Sequence, residues 1–416
     1  MNAVCTIVAK NYLSQARTLG DSLKKTNPDL DFYILLADEA RGDLDLTKEK
    51  HKTIEVKDIE IPYLKEMAFK YNVLEFCTAV KPFFIEWLFK KYNYEKIIYL
   101  DPDIYVYDSL NCIYDDLKDN FLVITPHIVN MDLEYRGAFS EDELLFVGIY
   151  NLGFVAIKNN DQGKFFVEWW KKRLKDKCYA DREDALHVDQ KWIDFMPSFF
   201  EKGVLISKNM GYNAALWNIH EKELLNEEGV YYFKNKFAEN EKYKLIFFHF
   251  SGFQPNNPES MCRKQTKYNL NNKPEYKEMF NNYSQAMLDN GFNELVKLKY
   301  FYDQYDNNIY ITQFQRRFYR KTLDGDKYYA DPFHTGKGSF YEMMDNNGLI
   351  LNDKVGNFNS LKVATYPNID SKLKKFEAMM RIFKRLVGTK RYFMLLKLIT
   401  KYYRPENQQF LLKNDK

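Results

Sequence analysis

The apolar residues in the first 260 positions fall into short continuous runs, and segments between them have helical periodicity. The runs cover residues 3–9, 31–37, 96–100, 121–125, 150–157 and 245–253. Runs this short and this apolar are typical of strands buried on both faces of a sheet. After the first run, Ala16, Leu19 and Leu23 follow helical spacing, with Ser14 as a candidate helix cap. A strand, helix, strand order predicts a parallel sheet, so we expect an α/β fold with a mostly parallel sheet flanked by helices.

Further helices are predicted in the middle of the chain. Residues 64–91 have a helical pattern that is interrupted before Pro82, and residues 165–173 have an amphipathic one. Another helix is predicted from His187 onward. Asp189 would lie in its first turn, where the helix dipole favours a carboxylate.

The composition changes near residue 269, and the pattern beyond it is helical. We therefore expect an α/β domain over residues 1–268 and a mainly helical region over residues 269–416. Residues 371–404 predict one or two amphipathic helices with Lys and Arg opposite an apolar side. That apolar side comprises Leu373, Phe376, Met379, Met380, Phe383 and Leu386. It either packs on the main domain or lies on an anionic membrane surface.

Composition narrows the class of protein. The net charge of the 416-residue chain is +3, which does not favour nucleic acid as a partner. The five cysteines are scattered without Cys-x-x-Cys spacing, which indicates reduced thiols and no zinc cluster. There is no signal peptide and no apolar run that could span a bilayer. We expect a cytoplasmic protein, with any membrane contact peripheral and at the cytosolic face.

Candidate chemistry begins at Asp101 and Asp103, which directly follow the apolar run of residues 96–100. In an extended backbone, side chains two residues apart point the same way, so both carboxylates can approach one point. Such a pair stays ionised only if a cation or hydrogen-bond donors compensate. A hard divalent cation that also binds substrate phosphates is the usual compensation, so the pair predicts a metal site.

Other polar residues are expected at the same edge, because ligands of open parallel sheets bind outside the carboxyl ends of the strands. Ala9 and Asn11 follow the first strand, and Asp38 follows the second. Lys81 lies one helix upstream of residues 96–100 and can reach this edge, with a surface lysine as the alternative.

Two later positions add to the same edge. Gly153 lies inside a predicted strand, which predicts a close backbone approach or a bulge. His249 interrupts an apolar run and is followed by Ser251 and Gly252, which predict a turn. A lone histidine at a strand end is usually structural, but beside a suspected metal site it is a candidate ligand.

Five motifs, in order along roughly residues 1–265, resemble those of a known family. Tyr99-Leu100-Asp101-Pro102-Asp103 resembles the Asp-x-Asp motif of metal-dependent glycosyltransferases with the GT-A fold. Four more segments resemble motifs of glycosyltransferase family 8: Thr78-Ala79-Val80-Lys81, Asn151-Leu152-Gly153, Asp189-Gln190 and His249-Phe250-Ser251-Gly252. Residues 211–221 and 249–255 look closest to uncharacterised bacterial glycosyltransferases encoded with cell-surface polysaccharides.

The resemblance implies transfer of a sugar from a UDP-sugar to a glycan or lipid-linked acceptor, with retention of anomeric configuration. It implies Mn²⁺, or Mg²⁺, held by Asp101, Asp103 and His249, and mixed carboxylate and imidazole ligands favour Mn²⁺. Its catalytic candidates are Lys81, Asp189 and Gln190. Its donor-binding candidates are Ala9, Asn11 and Asp38 near the base and ribose, and Asn151 near the sugar.

The chain also departs from the family pattern. The basic residue expected three positions after Gly252 is Pro255, so Arg263 or Lys264 would neutralise the diphosphate. Lys81 stands where arginine is commoner, which gives a point charge instead of a fork. Candidates for the acceptor side are Tyr212, Trp217, His220 and Glu221.

Two other classes remain open. A nucleotidyltransferase acting on sugar phosphates also holds a metal on two carboxylates, but it usually has a Gly-rich phosphate loop, which residues 8–11 lack. A carbohydrate-binding protein with a degenerate site is the alternative without catalysis. The presence of both aspartates and His249 argues against it.

Overall fold

The computed structural model describes residues 1–238, 241–325, 328–352, 354 and 368–412, which form two compact units. The first comprises Met1–Pro62 and Val73–Tyr300, and the second comprises Tyr63–Asn72 and Phe301–Lys416. Residues 269–300, which composition grouped with the C-terminal region, belong to the first unit. The functions predicted for the two parts of the chain stay predictions.

Every strand among the described residues lies in the first unit. They are β1 (Asn2–Val8), β2 (Asp31–Leu36), β3 (Lys52–Glu55), β4 (Lys96–Leu100), β5 (Ile104–Val106), β6 (Leu122–Ile124), β7 (Phe154–Lys158), β8 (Ala180–Asp181), β9 (Leu186–His187), β10 (Val204–Ile206), β11 (Ala214–Ala215), β12 (Lys222–Glu227), β13 (Val230–Asn235), β14 (Lys242–Lys244) and β15 (Phe247–His249).

The helices are distributed over both units. They are α1 (Leu13–Thr26), α2 (Leu64–Lys70), α3 (Val73–Ala79), α4 (Lys81–Tyr92), α5 (Asn111–Asp119), α6 (Glu141–Val147), α7 (Asp161–Lys177), α8 (Met196–Phe199), α9 (Lys277–Asp289), α10 (Phe292–Leu295), α11 (Gln313–Leu323), α12 (Phe340–Asn346), α13 (Ile369–Val387) and α14 (Thr389–Tyr402). No helix within the described residues has the length and apolar character needed to cross a bilayer.

The central sheet confirms the predicted α/β architecture. Within the described residues this sheet has seven strands, in the order β10-β6-β7-β4-β1-β2-β3. Every neighbouring pair is parallel except the two that β7 makes with β4 and β6. Because β7 runs in the opposite direction, its amino end lies at the edge where β4 has its carboxyl end. Residues just before β7 and just after β4 therefore meet.

Both faces of the sheet are covered, as the continuous apolar runs predict. On one face, α1 and α5 pack through buried residues that include Leu19 of α1 and Ile113 of α5, against Ile34 and Ile98 of the sheet. On the other face, α3 contacts β1, and α4 and α7 pack against α3. Full burial of a leucine-sized side chain contributes about 1.5–3 kcal/mol to the free energy of folding. The two helical layers therefore stabilise the sheet, and a stable sheet holds the residues at its edge in place.

Several element boundaries differ from the prediction. Ser14 lies inside α1 rather than before it, and its hydroxyl donates to Gln15 Oε1 at 2.7 Å. The strand expected over residues 150–157 begins only at Phe154, and the strand expected over residues 245–253 covers Phe247–His249. The helix expected from residue 187 is a 3₁₀ segment, Gln190–Phe195, followed by α8.

The second unit contains a buried cation that links α2 to α11. The guanidinium of Arg316 donates to the carbonyls of Ala68, Phe69, Tyr71 and Tyr302 and pairs with the Asp303 carboxylate at 2.8 Å. Arg316 is 1% exposed. All of these partners belong to the second unit, which gives Arg316 a structural role there.

Candidate metal site at the sheet edge

Asp101 and Asp103 lie in a turn between β4 and β5. The N–H of Ile104 donates to the Asp101 carbonyl at 3.1 Å, which closes the turn around Pro102. The prediction of an extended backbone from Asp101 to Asp103 is therefore wrong. Pro102 interrupts the strand because it has no N–H to continue a strand ladder and its ring fixes φ. The N–H of Asp101 still donates to the Gly153 carbonyl at 2.7 Å, so the turn remains attached to the sheet.

His249 reaches the two carboxylates from a neighbouring strand. β15 pairs antiparallel with β5 so that His249 lies opposite Ile104. Its Nε2 atom is 3.0 Å from Asp103 Oδ1 and 3.9 Å from Asp101 Oδ2. One ligand atom from each of the three residues lies within 4.8 Å of the other two. At this spacing, small side-chain movements would allow all three residues to bind one divalent cation.

The three candidate metal ligands also compensate one another's charge. Burial raises the pKa of Asp103, but the charge and hydrogen bond of His249 outweigh this effect, and the net pKa is lowered. Burial lowers the pKa of His249, whereas the carboxylates of Asp103 and then Asp101 raise it, and the net pKa is raised. The raised pKa favours a proton on His249 beside the two carboxylates, and metal that binds here must displace any proton on Nε2. Two carboxylates and one imidazole fit Mn²⁺.

Asn213 fixes the other ring nitrogen of His249. The Nδ1 atom of His249 lies 3.2 Å from Asn213 Oδ1. The amide nitrogen of Asn213 donates to Thr125 Oγ1 at 3.1 Å and to Asn151 Oδ1 at 3.0 Å, so the amide oxygen faces the imidazole. Because an amide oxygen only accepts, Nδ1 carries the hydrogen and Nε2 offers its lone pair to a metal. Sequence reasoning missed Asn213.

Asn151 continues this network. Its amide nitrogen lies 3.3 Å from Nε2 of His127, and Nδ1 of His127 lies 3.2 Å from the Ile149 carbonyl. Burial lowers the pKa of His127 to about 4, so this ring is neutral near pH 7. The Asn151 carboxamide is therefore positioned by the His127 ring, the Asn213 amide and the N–H of Gly153.

Gly153 permits the close approach that its place in the sequence predicted. A Cβ atom at this position would lie 2.4 Å from Cε1 and 2.7 Å from Nδ1 of His249. Real Cβ atoms do not come this close to a ring, so only glycine leaves room for the imidazole here. The prediction of a close approach is confirmed, although Gly153 precedes β7 instead of lying inside it.

Lys81 and Asp189 form a buried ion pair. The Lys81 Nζ atom lies 2.5 Å from Asp189 Oδ2, donates to the Leu152 carbonyl at 2.8 Å and lies 4.1 Å from the centre of the Tyr99 ring. Lys81 is 1% exposed, so the surface-lysine alternative is wrong. Burial raises the pKa of Asp189 while Lys81 opposes the shift, and the net pKa is raised. The Asp189 carboxylate makes no helix-cap bond.

Gln190 ties this pair to the segment before β7. Its amide nitrogen donates to the Val147 carbonyl at 2.8 Å, and its amide oxygen accepts from the Leu152 N–H at 3.4 Å. Lys81, Asp189 and Gln190 therefore meet at Leu152, one residue from Asn151. The structure brings these predicted catalytic residues together, and their roles in a reaction stay predictions.

The predicted nucleotide-binding residues lie at the loops after β1 and β2. The Asp38 carboxylate is fully buried and accepts from the N–H groups of Lys10 at 3.2 Å and Glu39 at 2.8 Å. Asp38 therefore joins the two loops. Ala9 is also buried, whereas Asn11 has a buried Oδ1 atom without a hydrogen-bond partner among the described residues. Asn11 is thus the candidate with an acceptor left for a ligand.

Basic residues in the segment that follows β15 act on the candidate metal site. The charge of Arg263 acts to lower the pKa of Tyr12, and the charge of Lys264 helps to lower the pKa of Asp103. Burial and then the Asp103 charge raise the pKa of Tyr12. Tyr12 was missed as a site residue. Its position directly after Asn11, at the end of the first apolar run, is the signal that could have identified it.

The residues suggested for the acceptor side have different surroundings. Tyr212 is buried and donates to the Asp116 carboxylate at 3.2 Å, and Glu221 accepts the N–H groups of Val129 and Asn130. Trp217 lies edge-on to the His249 ring, with 5.0 Å between ring centres. His220 packs edge-on against the Tyr135 ring. Of the four, Trp217 is the residue that contacts a candidate metal ligand, His249.

Comparison with known proteins gives the following similarities. No family model matches the chain. The chain is 28% identical to the uncharacterized protein YfnF of Bacillus subtilis over 258 residues, covering 61% of this chain and 82% of YfnF. It is 25% identical to the uncharacterized protein YfnD of the same organism over 253 residues, covering 60% and 76%.

Two solved structures also resemble the chain. The galactosyltransferase LgtC, crystallised with donor and acceptor sugar analogs, has 22% identity and a TM-score of 0.34 over 52% of this chain and 76% of LgtC. The glycosyltransferase GlyE of Streptococcus pneumoniae has 20% identity and a TM-score of 0.32 over 51% of this chain and 47% of GlyE. One of these proteins is thus named a galactosyltransferase and the other a glycosyltransferase.

Gly153→Ala tests the close approach. The added Cβ would overlap the imidazole, so we expect His249 to move and Mn²⁺ to bind at least about tenfold more weakly, measured by titration calorimetry. The matched control is Gly325→Ala, whose Cβ would meet its nearest atom at 3.6 Å. Unchanged Mn²⁺ affinity in Gly153→Ala would contradict the placement of His249.

Asn213→Gly tests the orientation of the imidazole. Asn213 has φ +47°, so glycine removes the side chain without backbone strain. We expect Mn²⁺ affinity to fall by about 10- to 100-fold because His249 loses the acceptor of its Nδ1 hydrogen. Asn213→Asp retains an acceptor and should recover part of the affinity. Asn308→Gly, at another asparagine with positive φ, is the control that should change nothing.

Proposed function

We propose that the protein is a metal-dependent glycosyltransferase that moves a sugar from a nucleoside diphosphate sugar to a hydroxyl of a glycan or lipid-linked acceptor. The observation that carries the proposal is the group formed by Asp101, Asp103 and His249 at the carboxyl end of β4. Open α/β sheets bind ligands at this edge. The motif resemblance to glycosyltransferase family 8 extends the proposal to hexosyl transfer with retention, in the synthesis of bacterial surface polysaccharide.

In this reaction the bond between the anomeric carbon and the diphosphate breaks, and the leaving group takes the electron pair. Asp101, Asp103 and His249 would hold Mn²⁺, which supplies positive charge to the departing diphosphate. His249 must be neutral for this task, and Asn213 holds its ring so that Nε2 faces both carboxylates. The acceptor oxygen forms the new bond to the anomeric carbon, and its proton passes to the departing diphosphate.

Basic side chains supplement this charge. Arg263 and Lys264 follow the turn after β15, and the effect of Lys264 on the pKa of Asp103 indicates that its charge acts at the same place. Groups fixed before the reaction stabilise developing negative charge without further reorganisation. In this proposal Arg263 and Lys264 supply the positive charge that a basic residue would supply at the position of Pro255.

Positioning of the donor sugar is assigned to the segment before β7. Asn151 lies one residue from Leu152, whose carbonyl and N–H bind Lys81 and Gln190. Asp189 neutralises Lys81, so this buried support carries no net charge. A rigid support of this kind keeps hydroxyl-binding groups at fixed distances from the reacting carbon.

The loop after β1 is assigned to the nucleotide base. The buried Oδ1 atom of Asn11 has no partner among the described residues, and an amide oxygen accepts a hydrogen bond. Uracil offers an N–H donor on its pairing edge, which matches this acceptor. We therefore propose a UDP-sugar as donor, with Ala9 and Asp38 shaping the same loop.

Asp101→Asn and Asp103→Asn test the metal-dependent reaction. Each change removes a negative ligand, so we expect Mn²⁺-dependent release of UDP from a panel of UDP-sugars to fall at least about 100-fold. The control is Asp29→Asn, an exposed acid in another Asp-x-Asp pair. Wild-type turnover in either site variant would refute the assignment. Release of pyrophosphate from UTP and a sugar phosphate would instead indicate a nucleotidyltransferase.

Nucleotide preference is tested by thermal unfolding. A ligand that binds only the folded state stabilises it by about 2.7 kcal/mol at one hundred times its dissociation constant. We expect UDP with Mn²⁺ to raise the unfolding temperature more than GDP or ADP with Mn²⁺. Asn11→Ala should reduce the advantage of UDP. A larger shift with GDP would contradict the uracil assignment and leave the metal site untouched.

A further inference from the structure

The helices α13 and α14 expose apolar side chains to an unusual extent. Neither helix contains a buried residue. Leu386 is 80% exposed and Ile382 is 58% exposed. The large apolar side chains exposed on the two helices are Leu373, Phe376, Met379, Ile382, Phe383, Leu386, Phe393, Met394, Leu395, Leu398, Ile399 and Tyr402. Contiguous exposed apolar surface of this kind marks an interaction site.

The pattern on each helix is amphipathic. Phe376, Met380, Phe383 and Val387 recur at intervals of four, three and four residues, which places them on one face of α13. On α14, three cations recur at intervals of seven and four residues and share a face. They are Lys390, Lys397 and Lys401. The prediction of basic amphipathic helices is confirmed.

The charge of this segment differs from that of the rest of the chain. Residues 369–404 contain eleven Lys and Arg residues and two Asp and Glu residues, a net charge of +9. The whole chain has a net charge of +3, so the other residues together carry −6. Positive charge is therefore concentrated beside the exposed apolar side chains.

We propose that α13 and α14 bind the surface of an anionic lipid bilayer, with their apolar faces at the boundary between headgroups and acyl chains. A bilayer of this kind offers hydrocarbon and negative charge together, which is the combination that these helices present. A second copy of the chain would oppose a charge of +9 with an equal charge. A nucleic acid offers negative charge without hydrocarbon. This inference does not depend on the proposed function.

A groove on α13 shows how the two kinds of side chain combine. It is lined by Lys375, Ala378, Met379, Ile382, Phe383 and Leu386. The long apolar stem of a lysine can lie along apolar surface while its ammonium group stays at the level of the headgroups. Lys375 is thus compatible with immersion of its apolar neighbours.

The test is co-sedimentation of the 416-residue chain with vesicles. We expect binding at low salt to vesicles of equal parts phosphatidylcholine and phosphatidylglycerol, and much weaker binding to phosphatidylcholine alone. Added salt should reduce binding, because surface charge is screened. Each cation removed from the two helices should lower the partition coefficient by about fivefold. The charge variant replaces four cations with glutamine: Lys384, Arg385, Lys390 and Lys397.

Matched variants separate this surface from general electrostatics. The control replaces four exposed lysines elsewhere, Lys24, Lys202, Lys234 and Lys277, and should bind like the wild type. The double variant Phe383→Ser and Leu386→Ser should also lose binding, whereas Leu133→Ser and Leu145→Ser, at exposed leucines elsewhere, should not. Unchanged UDP and Mn²⁺ thermal shifts, or unchanged circular dichroism if no nucleotide binds, show that each variant is folded.

The proposal is overturned if the wild type does not bind anionic vesicles, if it binds both vesicle types equally, or if the charge variant matches its control. It is also overturned if light scattering shows a dimer that the double serine variant converts to a monomer while anionic vesicles are not bound. That result would assign the apolar surface to self-association.

Discussion

The candidate site depends on one pairing, that of β15 with β5. It places His249 opposite Ile104, beside the turn that carries Asp101 and Asp103. Without this pairing the turn would lose the positive charge that acts most strongly on Asp103 and would keep only weaker compensation, from Lys264 and from the Tyr99 hydroxyl that donates to Asp101. The imidazole supplies a positive charge when protonated and a ligand atom when neutral. The same contact therefore serves the stability of the folded chain and its capacity to bind metal.

The strands were predictable where both faces are buried. Continuous apolar runs identified β1, β2, β4 and β6, since a strand covered by helices on both sides has no polar positions to interrupt it. The strands at the two edges of the sheet, β3 and β10, were not predicted. Their residues are only partly buried, and β3 mixes Lys52, Thr53, Ile54 and Glu55. At an edge the physical demand for apolar residues is weaker, so the pattern is weaker too.

The site was predictable only where a motif is local. Asp101, Asp103 and His249 were identified because each stands at the end of an apolar run, and the structure groups them. Asn213 was not identified as a site residue, although it lies in the segment 211–221 that resembles known proteins, because it is 36 residues from His249 and no local spacing relates the two. The pairing of Lys81 with Asp189 spans 108 residues. Contacts of this kind depend on how separate segments pack, which no local pattern encodes.

The hydrogen bonds behind His249 have a direction. The carbonyl of Ile149 can only accept, so His127 must donate to it from Nδ1 and accept at Nε2 from Asn151. The oxygen of Asn151 then accepts from Asn213, whose own oxygen accepts from His249. Reversing any one amide would place two donors or two acceptors face to face. A single backbone carbonyl, four hydrogen bonds away, thus determines which nitrogen of His249 carries its proton.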